Sequence, residues 1–134
     1  MVRSTRQKTA IRSVLEAARR PLSPQEILEQ ARDRVPELGI ATVYRNLKAL
    51  LASDEIRAVP LPGDNPRYEL ASVASVHHHH FQCTACGRVF DLHACRLDLA
   101  SMIPPGFSLE RHEITLYGRC ADHPPEPRTA RPRG

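Results

Sequence analysis

Tryptophan is absent, and tyrosine and phenylalanine number three each, so aromatic residues make up 4% of the chain. Any packed core is therefore aliphatic. No apolar run approaches the roughly 20 residues that cross a bilayer. The N-terminus, Met-Val-Arg-Ser-Thr-Arg-Gln-Lys, has no apolar signal region. A soluble, cytoplasmic protein without a membrane partner is expected. Zinc-enzyme signatures are missing too. The run His112-Glu113-Ile114-Thr115-Leu116 lacks the second histidine of H-E-x-x-H. The H-x-E and P-C-x-x-C pairing of zinc deaminases is not found either. With no open coordination position and no general base to assign, neither an enzyme nor a small organic substrate is expected. Cysteine is sparse, with residues 83, 86, 95 and 120. Without a secretion signal, four cysteines point to metal ligation before disulfides.

What is present is concentrated between Val76 and Gly87, V-H-H-H-H-F-Q-C-T-A-C-G. A Cys-x-x-Cys turn at Cys83 and Cys86 lets two thiolates converge on one ion, and the following glycine eases the backbone. A redox pair at this spacing would open a helix within a βαβ pattern, which the neighbouring residues do not show. A solvated histidine tract is the plain alternative for the other half of the run. Soft sulfur and imidazole donors clustered together favour a metal. If 77–83 is a strand, its side chains alternate between faces. His77 and His79 then point one way, and His78 and His80 the other. One strand can feed two metal sites besides the cysteine site.

The 134 residues carry a net charge of +4, enough chain for one core or two small ones. Residues 1–70 hold 12 Lys/Arg against 9 Asp/Glu, whereas 71–123 hold 4 against 5. The basic excess sits away from the ligand-rich stretch, which fits a half that faces nucleic acid. Ile11, Val14, Leu15 and Ala18 have helical spacing within about 5–18, and Pro21 is expected to end that helix. Ser23-Pro24-Gln25-Glu26 reads as a capping box. The helix it opens carries a stripe of Ile27, Leu28, Ala31 and Val35, closed by Pro36 and Gly39. A third helix over 39–51 turns Val43, Leu47, Leu50 and Leu51 inward. Thr42, Arg45, Asn46 and Lys48 stay outside, with Tyr44 near the rim. This is a helix-turn-helix pattern, whose second motif helix enters the major groove of double-stranded DNA. A generic three-helix bundle is the plain alternative. On the DNA reading, Tyr44 and Arg45 reach base edges, Lys8 and Lys48 reach phosphates, and Thr42 is a further DNA-binding residue.

Runs over 55–61 and 67–70 around a turn at 62–66 predict a hairpin, the wing of such a domain. The small residues 71–76 read as a hinge. Beyond it, strands over 77–83 and 88–92, a helix over about 94–103 and a strand over 107–117 are expected. The pair Cys120 and His123 closes the second domain. The tail from 124 is too rich in proline and arginine to pack a core, and disorder is expected there. The organisation expected is 1–70, hinge 71–76, domain 77–123 and tail 124–134.

A-T-V-Y-R at 41–45, Y-E-L at 68–70, H-H-H-H-F-Q-C-T-A-C-G at 77–87 and H-E-I-T-L-Y-G-R-C at 112–120 occur in order. In these motifs, over about 5–123, the chain resembles the ferric uptake regulator family of bacterial metalloregulators. The resemblance implies an α+β fold, a winged helix-turn-helix domain followed by a small α/β dimerisation domain. It also implies a homodimeric, metal-activated repressor of an operator in zinc or iron homeostasis. Members sense iron, zinc, manganese or, through bound iron, peroxide. A metal-storage protein would account for the histidines but not for the helical half.

By position, the resemblance assigns a structural zinc to Cys83, Cys86, Cys120 and His123, the last standing where many members have cysteine. It assigns a regulatory zinc or iron(II) to Glu69, His78, His80 and Asp91. A histidine that completes this site in many iron and peroxide sensors corresponds here to Pro21. The cysteine that zinc sensors place shortly after Y-x-L is also missing. A third site would use His77, His79, Asp98 and His112, with His79 where aspartate is common. His93 and Cys95 stay unassigned. Either can complete a short site or simply be exposed at a helix start.

Overall fold

Apolar spacing in the first fifty residues builds three helices, α1 (Arg3–Ala18), α2 (Pro24–Ala31) and α3 (Ile40–Ala52). The computed structural model describes residues 3–74, 79–92 and 97–125. α1 stops before Pro21, at Arg19, whose left-handed backbone (φ 55°) ends the hydrogen-bond ladder. The capping box forms in full, with Ser23 Oγ accepting from Glu26 N at 3.1 Å and Ser23 N donating to Glu26 Oε1 at 3.0 Å. α2 is shorter than its stripe predicts. It ends at Ala31, and Val35 is buried from the turn that follows. The inward faces of the three helices meet in one aliphatic core that includes Ile11, Leu22, Ile27, Leu38, Leu47 and Leu50.

The hairpin follows as β1 (Ile56–Leu61) and β2 (Asp64–Leu70), antiparallel. Its turn is tighter than predicted. Pro62 and Gly63 alone make it, and residues 64–66 belong to the strand. Proline followed by glycine at φ 71° suits a turn that needs a positive φ at its third position. The ladder is irregular between Val59 and Leu61, where Pro60 has no N–H to give. Leu22 joins the hairpin through a reciprocal pair with Tyr68 (2.9 and 2.8 Å). This fastens the start of α2 to β2. Residues 71–74 of the expected hinge form one helical turn, α4 (Ala71–Ala74), and the rest of the hinge lies outside the described residues.

The second half is a three-stranded sheet in the order β4-β3-β5, from β3 (His79–Cys83), β4 (Val89–Leu92) and β5 (Thr115–Gly118). β3 and β4 are antiparallel, whereas β3 and β5 are parallel. Gly118 lets β5 lie close to β3, since a Cβ there would come within 2.9 Å of Phe81 Cζ. The helix expected over 94–103 is a single 3-10 turn at Leu99–Met102, with residues 93–96 outside the described set. The strand expected over 107–117 is confined to Thr115–Gly118. Residues 107–111 are exposed and find no partner strand among the described residues, consistent with their imperfect alternation. Val59 and Leu61 of the hairpin pack with Val89 of β4, joining the halves through a small apolar contact.

Candidate metal centres

Four ligand-type side chains meet at one end of the second sheet. β3 delivers Cys83 as its last residue, and the turn after it presents Cys86. That turn is closed by Gly87 N donating to Cys83 O at 2.9 Å, with Gly87 at φ 78°. The parallel register Cys83↔Gly118 then brings Cys120 alongside, and a further turn (His123 N to Cys120 O, 2.9 Å) adds His123. One donor atom from each lies within 4.8 Å of all the others. Tetrahedral coordination at about 2.3 Å separates two sulfurs by about 3.8 Å. Cys86 and Cys120 are 3.8 Å apart.

The electrostatics of this end also suit a cation. Burial pushes the Cys83 thiol up, but N–H donors from Cys120 and Ala85 and the neighbouring Cys86 outweigh it, leaving its pKa at about 6. Cys120 is pushed up by burial and by the sulfurs of Cys83 and Cys86, against a backbone N–H that lowers it. Crowded thiols cannot all ionise until a positive charge joins them. Arg88 supplies part of that charge. Its Nε donates to Cys86 Sγ at 3.2 Å, and its Nη2 to Cys120 Sγ at 3.7 Å and Asp122 Oδ2 at 3.0 Å. Sequence reasoning passed over Arg88, although its place two residues after Cys86 is a usable signal.

The second cluster lies where the halves meet. Glu69 comes from β2, and His80 and Asp91 are cross-strand partners on β3 and β4. Their donor atoms also fall within 4.8 Å of one another. His80 Nε2 is 3.4 Å from Asp91 Oδ1, and the Asp91 side chain is almost fully buried. Burial, then the hydrogen bond and charge of Asp91, raise the Glu69 pKa to about 8. Two buried carboxylates that repel each other beside an imidazole form a site short of positive charge, which a divalent cation fits. His78, assigned to this set, lies outside the described residues. Pro21 is buried. The neighbouring Arg20 instead places its guanidinium 5.4 Å from the Phe90 ring centroid.

Of the third set, His79 and His112 come together, with Nε2 atoms 3.1 Å apart and Ile114 N donating to His79 Nδ1 at 3.2 Å. His79 thus meets His112, whereas His80 meets Glu69 and Asp91. Asp98 is exposed before the 3-10 turn and is not gathered with the two histidines. Among the described residues of the expected helix only the turn at Leu99–Met102 is regular, and Asp98 lies just before it. His77, His93 and Cys95 lie outside the described residues.

α3 presents the candidate DNA contacts. Tyr44 is 49% exposed, and Arg45 and Lys48 are exposed. Arg45 Nη2 donates to Thr42 Oγ1 at 3.0 Å, so these two form one polar unit. Lys8 is placed differently from the others. Its Nζ lies 3.5 Å from Glu55, beyond the far end of α3. Glu55 N donates to Leu50 O, and the eight residues from Thr42 to Leu50 span about 12 Å of helix, so Lys8 sits toward the opposite end of α3 from Thr42.

A family model described as the ferric uptake regulator family matches residues 1–117. The zinc uptake regulation protein of Mycobacterium tuberculosis (strain CDC 1551 / Oshkosh) is 33% identical over 124 residues, covering 90% of this chain and 94% of that protein. A solved zinc-bound manganese uptake regulator superposes with a TM-score of 0.76 at 26% identity, covering 89% and 91% of the two chains. A zinc uptake regulator solved in complex with zinc and DNA superposes with a TM-score of 0.53 at 26% identity, covering 90% and 83%.

Proposed function

The chain belongs to the ferric uptake regulator family, and from that premise we propose which residues make it respond to metal. It is a metal-responsive transcriptional repressor that binds operator DNA as a homodimer, and it is not an enzyme. No described helix is long and apolar enough to cross a membrane, and a cytoplasmic site of action follows from the role. Among the described residues, six of the eight exposed large apolar side chains, including Leu97, Met102 and Phe107, lie beyond residue 96. That placement suits a second half that pairs with its copy.

Cys83, Cys86, Cys120 and His123 would hold structural zinc. Glu69, His80 and Asp91, with His78 from the adjoining stretch, would hold the regulatory zinc or iron(II). When bound, that ion supplies a cross-link between the hairpin and the second sheet. The chain's own residues make the link consequential. Glu69 sits one residue from Tyr68, whose backbone pairs with Leu22 at the start of α2. A constraint on Glu69 therefore passes to the helices that carry Tyr44 and Arg45. It favours the arrangement in which the two recognition helices of a dimer match successive major grooves, roughly 34–36 Å apart. The shift is limited to the ion's preference for that arrangement over others.

The observation that carries this reading is the convergence of buried Glu69 from one half with His80 and Asp91 from the other. Imidazole nitrogen with two carboxylates accepts iron(II) as well as zinc, so an iron-bound peroxide sensor is the second reading. Metal analysis combined with an operator-binding titration against zinc and iron(II), with and without hydrogen peroxide, tests both. Activation by zinc that is indifferent to peroxide selects the first reading. Iron-dependent binding abolished by peroxide selects the second. DNA binding that ignores both metals defeats the assignment.

A further inference from the structure

Arg67 has no place in either metal cluster, yet it is 8% exposed and carries a charge into the contact between the halves. Its Nη1 donates to Asn65 O at 2.7 Å, and its Nη2 to Asp64 Oδ2 at 3.2 Å and to Gly87 O at 3.3 Å. Gly87 closes the cysteine turn, so its carbonyl points where the Cys83–Cys86 turn directs it. Asp64 in turn accepts from Gln82 Nε2 of β3 at 3.0 Å. A guanidinium offers several donors at fixed angles in one plane, which lets one side chain bind acceptors from two segments at once. The apolar contact of Val59 and Leu61 with Val89 also joins the hairpin to β4. On the other side, residues 64–68 and Tyr44 of α3 line a shared crevice of about 310 Å³.

We propose that Arg67 is a positioning residue for DNA recognition, fixing the hairpin and the helices fastened to it against the cysteine knuckle. The knuckle then orients the DNA-reading half as well as organising the second sheet. The route runs from Gly87 O to Arg67, along β2 to Tyr68, and through the Leu22 pairing to α2 and α3. It enters β2 at Arg67 where the regulatory link enters at Glu69, shares the Tyr68–Leu22 pairing with that link, and needs no regulatory ion. The proposal rests on the reading of the chain as a DNA-binding regulator.

The test uses the full-length, zinc-loaded dimer and compares Arg67→Met, Arg67→Lys and Gln82→Met with the parent. Zinc content and dimerisation should be unchanged in all three. At saturating regulatory metal, Arg67→Met should bind operator about tenfold more weakly, the loss of its charge-assisted hydrogen bond to Gly87 O. Arg67→Lys, a point charge that cannot serve every acceptor, should fall between it and the parent. Gln82→Met should show a smaller loss in the same direction. Hydrogen exchange, read without DNA, should quicken at Tyr68 N–H in Arg67→Met. Parental affinity and parental exchange in Arg67→Met would overturn the proposal. So would loss of zinc or dimer in both Arg67→Met and Gln82→Met, which would make the contact part of the fold alone. If only Arg67→Met fails to fold, Gln82→Met decides, with unchanged affinity counting against. If the parent itself binds no operator, the functional reading fails, and the exchange arm still decides whether Arg67 fixes the hairpin.

Discussion

The two halves of this chain solve the same problem by different means. Among the described residues, the buried apolar side chains lie almost all at or before Leu70, and only Cys83 and Val89 lie beyond it. The first half is held by aliphatic burial, at roughly 1.5–3 kcal/mol for each large side chain. The second half has no comparable core and gathers sulfur, imidazole and carboxylate in its place. The difference teaches where each half is vulnerable. One depends on shape and volume, the other on ions and on a second copy of the chain.

The largest effect should come from taking the ion-held half apart. Cys83→Ser is expected to release zinc and abolish the dimer, while the helical circular dichroism of α1–α3 persists. Structural zinc contributes roughly 10–16 kcal/mol in small domains, against typical domain stabilities of about 5–15 kcal/mol. A folded, dimeric, zinc-free variant would refute the contrast. The next largest separates the clusters. His80→Ala, and His78→Ala with it, should abolish metal-activated DNA binding while leaving the dimer and the cysteine-held zinc intact. His79→Ala and His77→Ala should alter metal affinity or stability more than the on/off response. Operator titration of the four variants decides, and equal loss in all four would remove the two-face assignment.

Leu50→Ala strikes the other half. It should cost about 2–5 kcal/mol and lower the melting of the helical signal without releasing zinc, as calorimetry and metal analysis would show. Simultaneous loss of zinc would mean that the halves unfold as one unit. Arg45→Ala should leave both halves folded and weaken operator binding by about 1–3 kcal/mol, relaxing specificity at one position per half-site. Binding at parental strength would point to another helix.

The last effect is one of acidity. Glu69, raised from 4.5 to about 8 first by burial and then by Asp91, keeps its proton in the metal-free fold where the unfolded chain has lost it. The folded form binds more protons between those values, so metal-free stability should fall as pH rises from about 4.5 to 8. Metal must displace that proton, and activation should need about tenfold more metal per unit as pH falls below 8. Glu69→Gln should flatten the stability slope in chelator. An unchanged urea midpoint profile would exclude Glu69 as its source.

The helical half was legible because local rules agree there. The capping box at Ser23 and Glu26, the apolar stripes and the Pro62-Gly63 turn each specify a conformation within a few residues. Even there, Val35 misled, because a buried residue at helical spacing can be reached from a turn as well as from another helical turn. In the second half spacing marked Cys83 with Cys86 and Cys120 with His123 as two ligand-like pairs, and only the family resemblance joined them into one set. The lengths of the elements were not legible. Residues 107–114 alternate weakly, and whether such a segment pairs depends on neighbours that local pattern does not contain. Arg67 was hidden because a charged residue in a strand reads as solvated unless its distant acceptor, Gly87 O, is known.

The parallel pairing of β3 with β5 has a consequence for the order of assembly. Cys83 and Cys86 are neighbours in the chain, whereas Cys86 and Cys120 are 34 residues apart. Closing a segment of that length costs roughly 3 kcal/mol in chain entropy before any contact rewards it. The local pair can capture zinc while the rest of this half is still a coil. Cys120 and His123 would then close the loop onto an ion already held, and the strand pairing would follow the closure. A newly made chain in a zinc-starved cell has to close the same loop by backbone hydrogen bonds alone. Its second half should mature slowly there, and the supply of zinc becomes a clock for how soon a working repressor appears.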